Sequence, residues 1–308
     1  MIKIEPGDSI TNVIANETGE DHFLLEPGVH GQFVVDNNGR SSRVTVEAEA
    51  GAVIEMGRTF DDWKKESYYK RVVTELDCQH HSFSVIEKNG EALSRMETYD
   101  QMEATPHSFW VDPSTDEVYV NHDHPDTLYL SDWKDEILPD NDVLLLNLDI
   151  RYGVNGVGLR EYDRVAIVGC KFSSISFQGI LGGGGELVVA GCDFSRIGKR
   201  WEIHKGSIRE NNKDHSIYTY GYGGSIIDCT FNGIPEHQTR PRYDIHLWHG
   251  SRTPAYWTIT GNDIAGTAIL KGKMHVWINN SITGPLQTEP KLSPQSSVLM
   301  DDGWRTVI

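Results

Sequence analysis

The phrases LLLNLDI (Leu144 to Ile150), AIVGCKF (Ala166 to Phe172), VVAGCDF (Val188 to Phe194), SIIDCTF (Ser225 to Phe231), TITGNDI (Thr258 to Ile264) and VWINNSI (Val276 to Ile282) are copies of one template. Apolar residues alternate through each copy and a large apolar residue closes it, the pattern of a strand with one buried face. Superposed, the copies give a column of Leu148, Cys170, Cys192, Cys229, Asn262 and Asn280, and another of Ile150, Phe172, Phe194, Phe231, Ile264 and Ile282. Successive steps in the first column are 22, 22, 37, 33 and 18 residues. A basic period near 22, lengthened where loops enter, describes a solenoid that climbs one strand spacing of roughly 4.8 Å per coil. A lone coil cannot bury its apolar face, so like residues stack coil on coil, and the Asn positions can hydrogen-bond along the stack. The expected fold is all-β, a parallel β-helix.

Composition agrees with this. Of 308 residues 30 are glycine, and the apolar residues come in short runs of Val, Ile and Phe, which excludes a helical bundle. With 28 Lys and Arg against 45 Asp and Glu the formal charge is −17, so neither nucleic acid nor a membrane, whose binding would rest on a basic face, is an expected partner. The sequence opens on no basic segment with an apolar core and has no apolar run long enough to span a bilayer. The expectation is a soluble chain without a signal peptide, its compartment open. The four cysteines, Cys78, Cys170, Cys192 and Cys229, form no C-x-x-C pair, and the last three are read as small buried residues stacked one coil apart.

A second strand in each coil reads NGVGL (Asn155 to Leu159), QGILG (Gln178 to Gly182), HSIYTYG (His215 to Gly221) and YDIHLWHG (Tyr243 to Gly250). Val157, Ile180, Ile217 and Ile245 align as inward residues, so alternation turns Gly158, Leu181, Tyr218 and His246 outward. Two residues on, the outward column is Arg160, Gly183, Tyr220 and Trp248. One face thus passes from glycine to tyrosine, histidine and tryptophan over adjacent coils.

These features resemble the right-handed parallel β-helix proteins of the pectin-lyase-like superfamily. GDSITNVIANETGEDHFLLEPGVHGQFVV (Gly7 to Val35) is similar to that superfamily's cap and first coil, and VTVEAEAGAVIEMG (Val44 to Gly57) to the coil that follows. The resemblance covers residues 1–57 and about 140–285. It implies the fold and a carbohydrate substrate rather than one reaction, since the superfamily includes lyases, hydrolases, epimerases and phage tailspikes. Residues 58–135 break the pattern, with hairpin signals at Lys88-Asn89-Gly90-Glu91 and Asp112-Pro113-Ser114-Thr115. The D-P-x-T-x-x-V-Y-V phrase there resembles inserted modules of β-helix glycoside hydrolases. The expected organisation is a cap and first coils at 1–57, an inserted antiparallel β module at 58–135, the main coils at 136–284 and a C-terminal cap or tail at 285–308.

The two long steps locate the candidate chemistry. Relative to 22, they carry 15 extra residues near Lys199 to Lys213 and 11 near Pro235 to Arg242. Both insertions precede an outward strand, so they project from one edge and wall the Tyr218, Tyr220, His246, Trp248 face. The first gathers Lys199, Arg200, Lys205, Arg209 and Lys213 with His204 and His215, against Glu202, Glu210 and Asp214. The second adds His237, Arg240, Arg242, Asp244, His246 and His249. Cations gathered in an acidic chain suit a polyanionic sugar, and Trp201, Tyr220, Tyr222, Tyr243 and Trp248 suit stacking on its rings. The competing reading is a solvated, ion-paired loop with aromatic residues packed beneath it.

Two reactions fit such a face. β-Elimination needs a base, taken as His246 or His215, an acid or acid/base, taken as Tyr218, and a cation to neutralise the uronate, taken as Arg240, Arg242 or Lys213. Lys205, Arg209, Tyr220 and Trp248 complete the substrate-binding set. Hydrolysis needs two carboxyl groups, taken as Asp214 and Asp244 with Glu202 and Glu210 behind them. Neither the motif of the calcium-assisted alginate and chondroitin lyases nor the paired-Asp phrases of polygalacturonases is recognisable. The leading expectation is a polysaccharide lyase acting on an acidic polysaccharide or oligosaccharide. A glycoside hydrolase and a non-catalytic glycan-binding or phage-type structural β-helix are the alternatives, and a uronate epimerase shares the proton-abstraction step. No cofactor is firmly implied, calcium being the one ion left open, and the expected state is a monomer or small homo-oligomer. His122-Asp123-His124 carries metal-ligating side chains but is read as an exposed turn, and Gly182 to Gly185 as a tight coil corner.

Overall fold

The computed structural model describes residues 1–307 except 38, 66–67, 73–75, 79–82, 133, 135, 141, 161–163, 184, 199–200, 205–206, 211–213, 222, 233–242, 249–255, 273–274, 289–295 and 301–302. For 72, 201–204, 207–210, 288, 296–300 and 303–307 it describes the backbone alone.

Sheets of 11, 8 and 6 strands, paired in parallel from coil to coil, build a parallel β-helix; the third begins at Asn155–Leu159, and before it Val34–Val35 and Leu138–Pro139 pair as a separate parallel ribbon. Each of the main coils adds one strand to each sheet in turn. In the central coil these are Arg164–Val168, Lys171–Ile175 and Gln178–Gly182, and in the next Glu186–Ala190, Asp193–Ile197 and His215–Thr219. Coil pairs with coil in parallel and in register, Phe172 opposite Phe194 and Ile180 opposite Ile217. The first sheet closes on an antiparallel pair, Ser296–Met300 with Gly303–Val307. No helix among the described residues is long and apolar enough to cross a membrane.

The stacked columns of the repeat form the core. The Phe172 and Phe194 rings stack with centroids 4.7 Å apart at 3°, and Phe194 and Phe231 at 4.9 Å and 4°. Cys170, Cys192 and Cys229 are free thiols, all 2 % exposed or less. Contact between neighbouring thiols and burial push the Cys192 thiol up to about 12, so it stays protonated and unreactive. Above them the column turns polar without loss of satisfaction. Cys229 N–H donates to Asn262 Oδ1 at 2.9 Å and Asn262 N–H to Asn280 Oδ1 at 3.0 Å.

The corner between the first and second sheets has its own sequence rule. Asn147, Gly169, Gly191, Asp228, Gly261 and Asn279 all have φ between 51° and 71°. The left-handed region is steeply unfavourable for most side chains, so the residue before each Leu, Cys or Asn of the column is Gly, Asn or Asp. At Gly169 an added Cβ would also stand 2.5 Å from Asn147 Oδ1.

Every long insertion leaves the solenoid at one corner, between the second and third sheets. The module follows Ala52–Glu55 and precedes Leu138–Pro139, residues 198–214 follow Asp193–Ile197, and residues 232–242 follow Thr230–Phe231. In the second of these, Trp201–His204 and Ser207–Glu210 pair as an antiparallel hairpin. The module has a five-stranded sheet and a two-stranded one around Leu76, Phe83, Val85, Leu93, Phe109, Val118 and Val120. Among the described residues its strand pairings are antiparallel except that of Ser94–Arg95 with Ser108–Val111, which is parallel.

Candidate functional site

The third sheet carries the face that alternation singles out. Gly158, Leu181, Tyr218, His246, Ile269 and Gln287 stand opposite one another coil by coil, with Ile180, Ile217 and Ile245 in the core beneath. The strict pleat fails one residue earlier. A Cβ added at Gly179 would stand 2.9 Å from the Phe194 ring, so this position, like Ile180 after it, faces inward. The break lets His215, aligned with Gln178 and Tyr243, share the face of Tyr218 and His246.

The rings form one cluster. His215 and His246 meet edge to face with centroids 4.6 Å apart, Tyr218 lies 5.4 Å from His215 and 5.0 Å from His246, and Tyr243 lies 5.5 and 5.1 Å from the same two. Tyr220 and Trp248 extend it, 6.4 Å from Tyr218 and 5.5 Å from His246. His246 Nδ1 and His215 Nε2 share a hydrogen bond of 3.0 Å. His246 Nε2 is enclosed and has no hydrogen-bond partner among the described residues. Burial first, and then the charge of Lys271, push the His246 imidazole down to about 3, so the ring is neutral across the physiological range. Burial and the neighbouring Tyr220 hold the Tyr218 phenol above its ordinary value, so it keeps its proton.

Lys271 is the residue that sequence reasoning missed. Its ammonium stands 3.5 Å from the centre of the Trp248 ring, and the residue is 6 % exposed. The signal was present, because Leu247 pairs with Leu270 and Lys271 is therefore the next member of the Arg160, Gly183, Tyr220, Trp248 column. Glu136 was also unforeseen. It accepts a 2.9 Å hydrogen bond from Asn155 Nδ2, occupies the space a Gly158 side chain would take, and is held above the usual carboxylate range by burial.

Both carboxylates proposed for hydrolysis are enclosed. Asp214 and Asp244 are 0 % and 1 % exposed. Because His215 aligns with Tyr243, Asp244 stands opposite Ser216 and not opposite Asp214. Its carboxylate accepts from Ser216 Oγ at 3.1 Å and Gly266 N–H at 2.8 Å, and burial pushes it up to about 6. Lys205, Lys213, Arg240 and Arg242 lie outside the described residues, and of Arg209 only the backbone is described. A separate cleft of about 340 Å³ lies between the module's Lys88 to Gly90 turn and Arg151, Lys171, Ser195 and Arg196 of the second sheet.

Comparison of the chain with known protein families, curated proteins and solved structures finds no significant match.

Proposed function

We propose that this chain is a carbohydrate-active β-helix of the pectin-lyase-like kind, cleaving an acidic polysaccharide by β-elimination at the third-sheet face. The observation that carries the reading is the His246 imidazole, neutral, oriented by His215 and left with a buried Nε2 that has no partner among the described residues, beside Tyr218 and Lys271. Buried polar atoms without partners are rare in folded proteins and concentrate where a ligand or reacting group completes them. When His246 Nδ1–H donates to His215, the lone pair of Nε2 is left for a proton.

The roles follow from charge. Lys271 neutralises the uronate carboxylate, which makes the neighbouring C–H acidic. His246 Nε2 takes that proton, the electron pair forms the ring double bond, and the glycosidic C–O bond breaks. Tyr218, kept protonated, gives its proton to the departing oxygen. The anionic substrate itself raises the basicity of His246 when it docks, because a nearby negative charge favours imidazolium. Tyr220, Tyr243 and Trp248 offer ring faces for sugar stacking.

Tyr218→Phe and His246→Gln test this reading. Each removes one proton-transfer group and should lower turnover at least about 100-fold while leaving thermal unfolding nearly unchanged. Full activity in both variants overturns the assignment. One observation favours hydrolysis as a second reading, the raised pKa of Asp244 at about 6, which suits a general acid. Its enclosure and its bonds to Ser216 and Gly266 favour a structural carboxyl instead.

A further inference from the structure

Outside the third-sheet face, the inserted module gathers three metal-ligating side chains at the ends of three strands. Glu87 follows Ser84–Ile86, His107 precedes Ser108–Val111, and His122 follows Glu117–Asn121. The antiparallel register pairs Ser108 with Asn121, so His107 and His122 stand across from each other one residue further on. Their rings meet at 5.4 Å and 82°. Glu87 Oε1 lies 2.6 Å from His107 Nδ1 and 3.7 Å from His122 Nε2, and the three atoms are all within 4.8 Å of one another.

The backbone holds His107 in an unusual position to achieve this. Its φ is 55°, in the left-handed region that side chains seldom adopt. It is pinned there by His107 N–H donating to the Asn121 carbonyl at 3.0 Å and by the His107 carbonyl accepting from Ser94 N–H at 3.1 Å. Strain of this kind collects at ligand sites, where the surrounding structure enforces it.

We propose that Glu87, His107 and His122 bind a divalent transition metal of the zinc type. Around a tetrahedral zinc with bonds near 2.0 to 2.1 Å, ligand atoms stand about 3.4 Å apart. The observed separations bracket that value, so small side-chain rotations bring all three atoms into the coordination sphere. Two imidazoles and one carboxylate select zinc over calcium or magnesium, which take oxygen ligands. Three protein ligands leave a fourth position to water, and the His107 side chain, 67 % exposed, gives the ion a way in.

Loading has a structural reporter. His122 Nδ1 accepts a 3.1 Å hydrogen bond from His124 N–H. Coordination through Nε2 places the ring proton on Nδ1, so two protons face each other and the His124 bond opens. The His124 amide therefore changes environment without touching the metal.

Titration of the metal-stripped full chain with zinc chloride, followed by calorimetry, tests the site. The expected result is one zinc per chain, weakened at least tenfold by His107→Ala or His122→Ala and also weakened by Glu87→Gln, with no matching calcium signal. Histidine-selective nitrogen labelling of the unsubstituted chain should show the His124 amide resonance shifting at one equivalent of zinc, a readout independent of whether the variants fold. No zinc binding by the unsubstituted chain, equal binding by a His107→Ala, His122→Ala double variant, or an unmoved His124 amide would each overturn the proposal.

Discussion

Asp244→Asn should stabilise the protein above neutral pH, although it replaces a buried residue whose carboxylate has two well-placed hydrogen-bond donors. The Asp244 carboxyl is 1 % exposed, with Ser216 Oγ and Gly266 N–H donating to its oxygens. Burial outweighs both bonds and lifts its pKa from 3.8 to about 6. The folded chain thus keeps a proton that the unfolded chain has already released. Stability is unaffected below 3.8, falls as pH rises from there to about 6, and stays reduced above it. At about 1.4 kcal/mol for each tenfold change in proton affinity, the cost of the ionised form comes to about 3 kcal/mol. Asparagine has the shape and neutrality of the protonated acid: its oxygen accepts from Gly266 and its amide donates to Ser216 Oγ. Urea unfolding by linear extrapolation should find the variant more stable by about 3 kcal/mol near pH 8 and equal to its parent below about pH 4. A variant less stable than the parent near pH 8 would refute the argument. The same protein should retain elimination activity, whereas hydrolysis through Asp244 would vanish with the substitution.

Other expectations follow from the same structure. Phe194→Ala opens the stack between Phe172 and Phe231 and should cost about 3 to 5 kcal/mol, measured by denaturant unfolding; a loss under about 1 kcal/mol would mean the ladder is not a packed core. Burial depresses His246 to about 3 and His275 to about 4, so the unfolded chain binds protons near 6.5 that the folded chain refuses. Their contribution is fully present above 6.5 and is lost as pH falls toward 4 and 3, at about 2 kcal/mol each by pH 5. The acid side of the stability profile should accordingly be shallower in His246→Gln, and an identical slope in parent and variant would contradict this.

Where the sequence was legible, the reason is repetition. A column such as Cys170, Cys192 and Cys229 is visible because every coil solves the same packing problem with similar side chains. The left-handed corner was equally visible in the Asn, Gly, Gly, Asp, Gly, Asn preceding that column, but its meaning lies in a dihedral angle and not in apolar periodicity. Strict alternation placed Tyr218 and His246 together and failed at the break beside Ser216, which brings His215 to their face and takes Asp244 inward. Lys271 lies far in sequence from the cation-rich insertions, and only the strand register brings it to this face. The Glu87, His107, His122 cluster was less legible still, because its three members meet only through the module's strand pairing.

The most direct test of the functional account is to incubate the purified chain with alginate, pectate, glycosaminoglycans, xylan and neutral glucans, following reducing ends and the ultraviolet absorbance of unsaturated uronate together. The account predicts that both signals rise in step on one uronate-containing polymer and that both disappear in His246→Gln. Reducing ends released without the chromophore, or a chromophore that persists in His246→Gln, would contradict it.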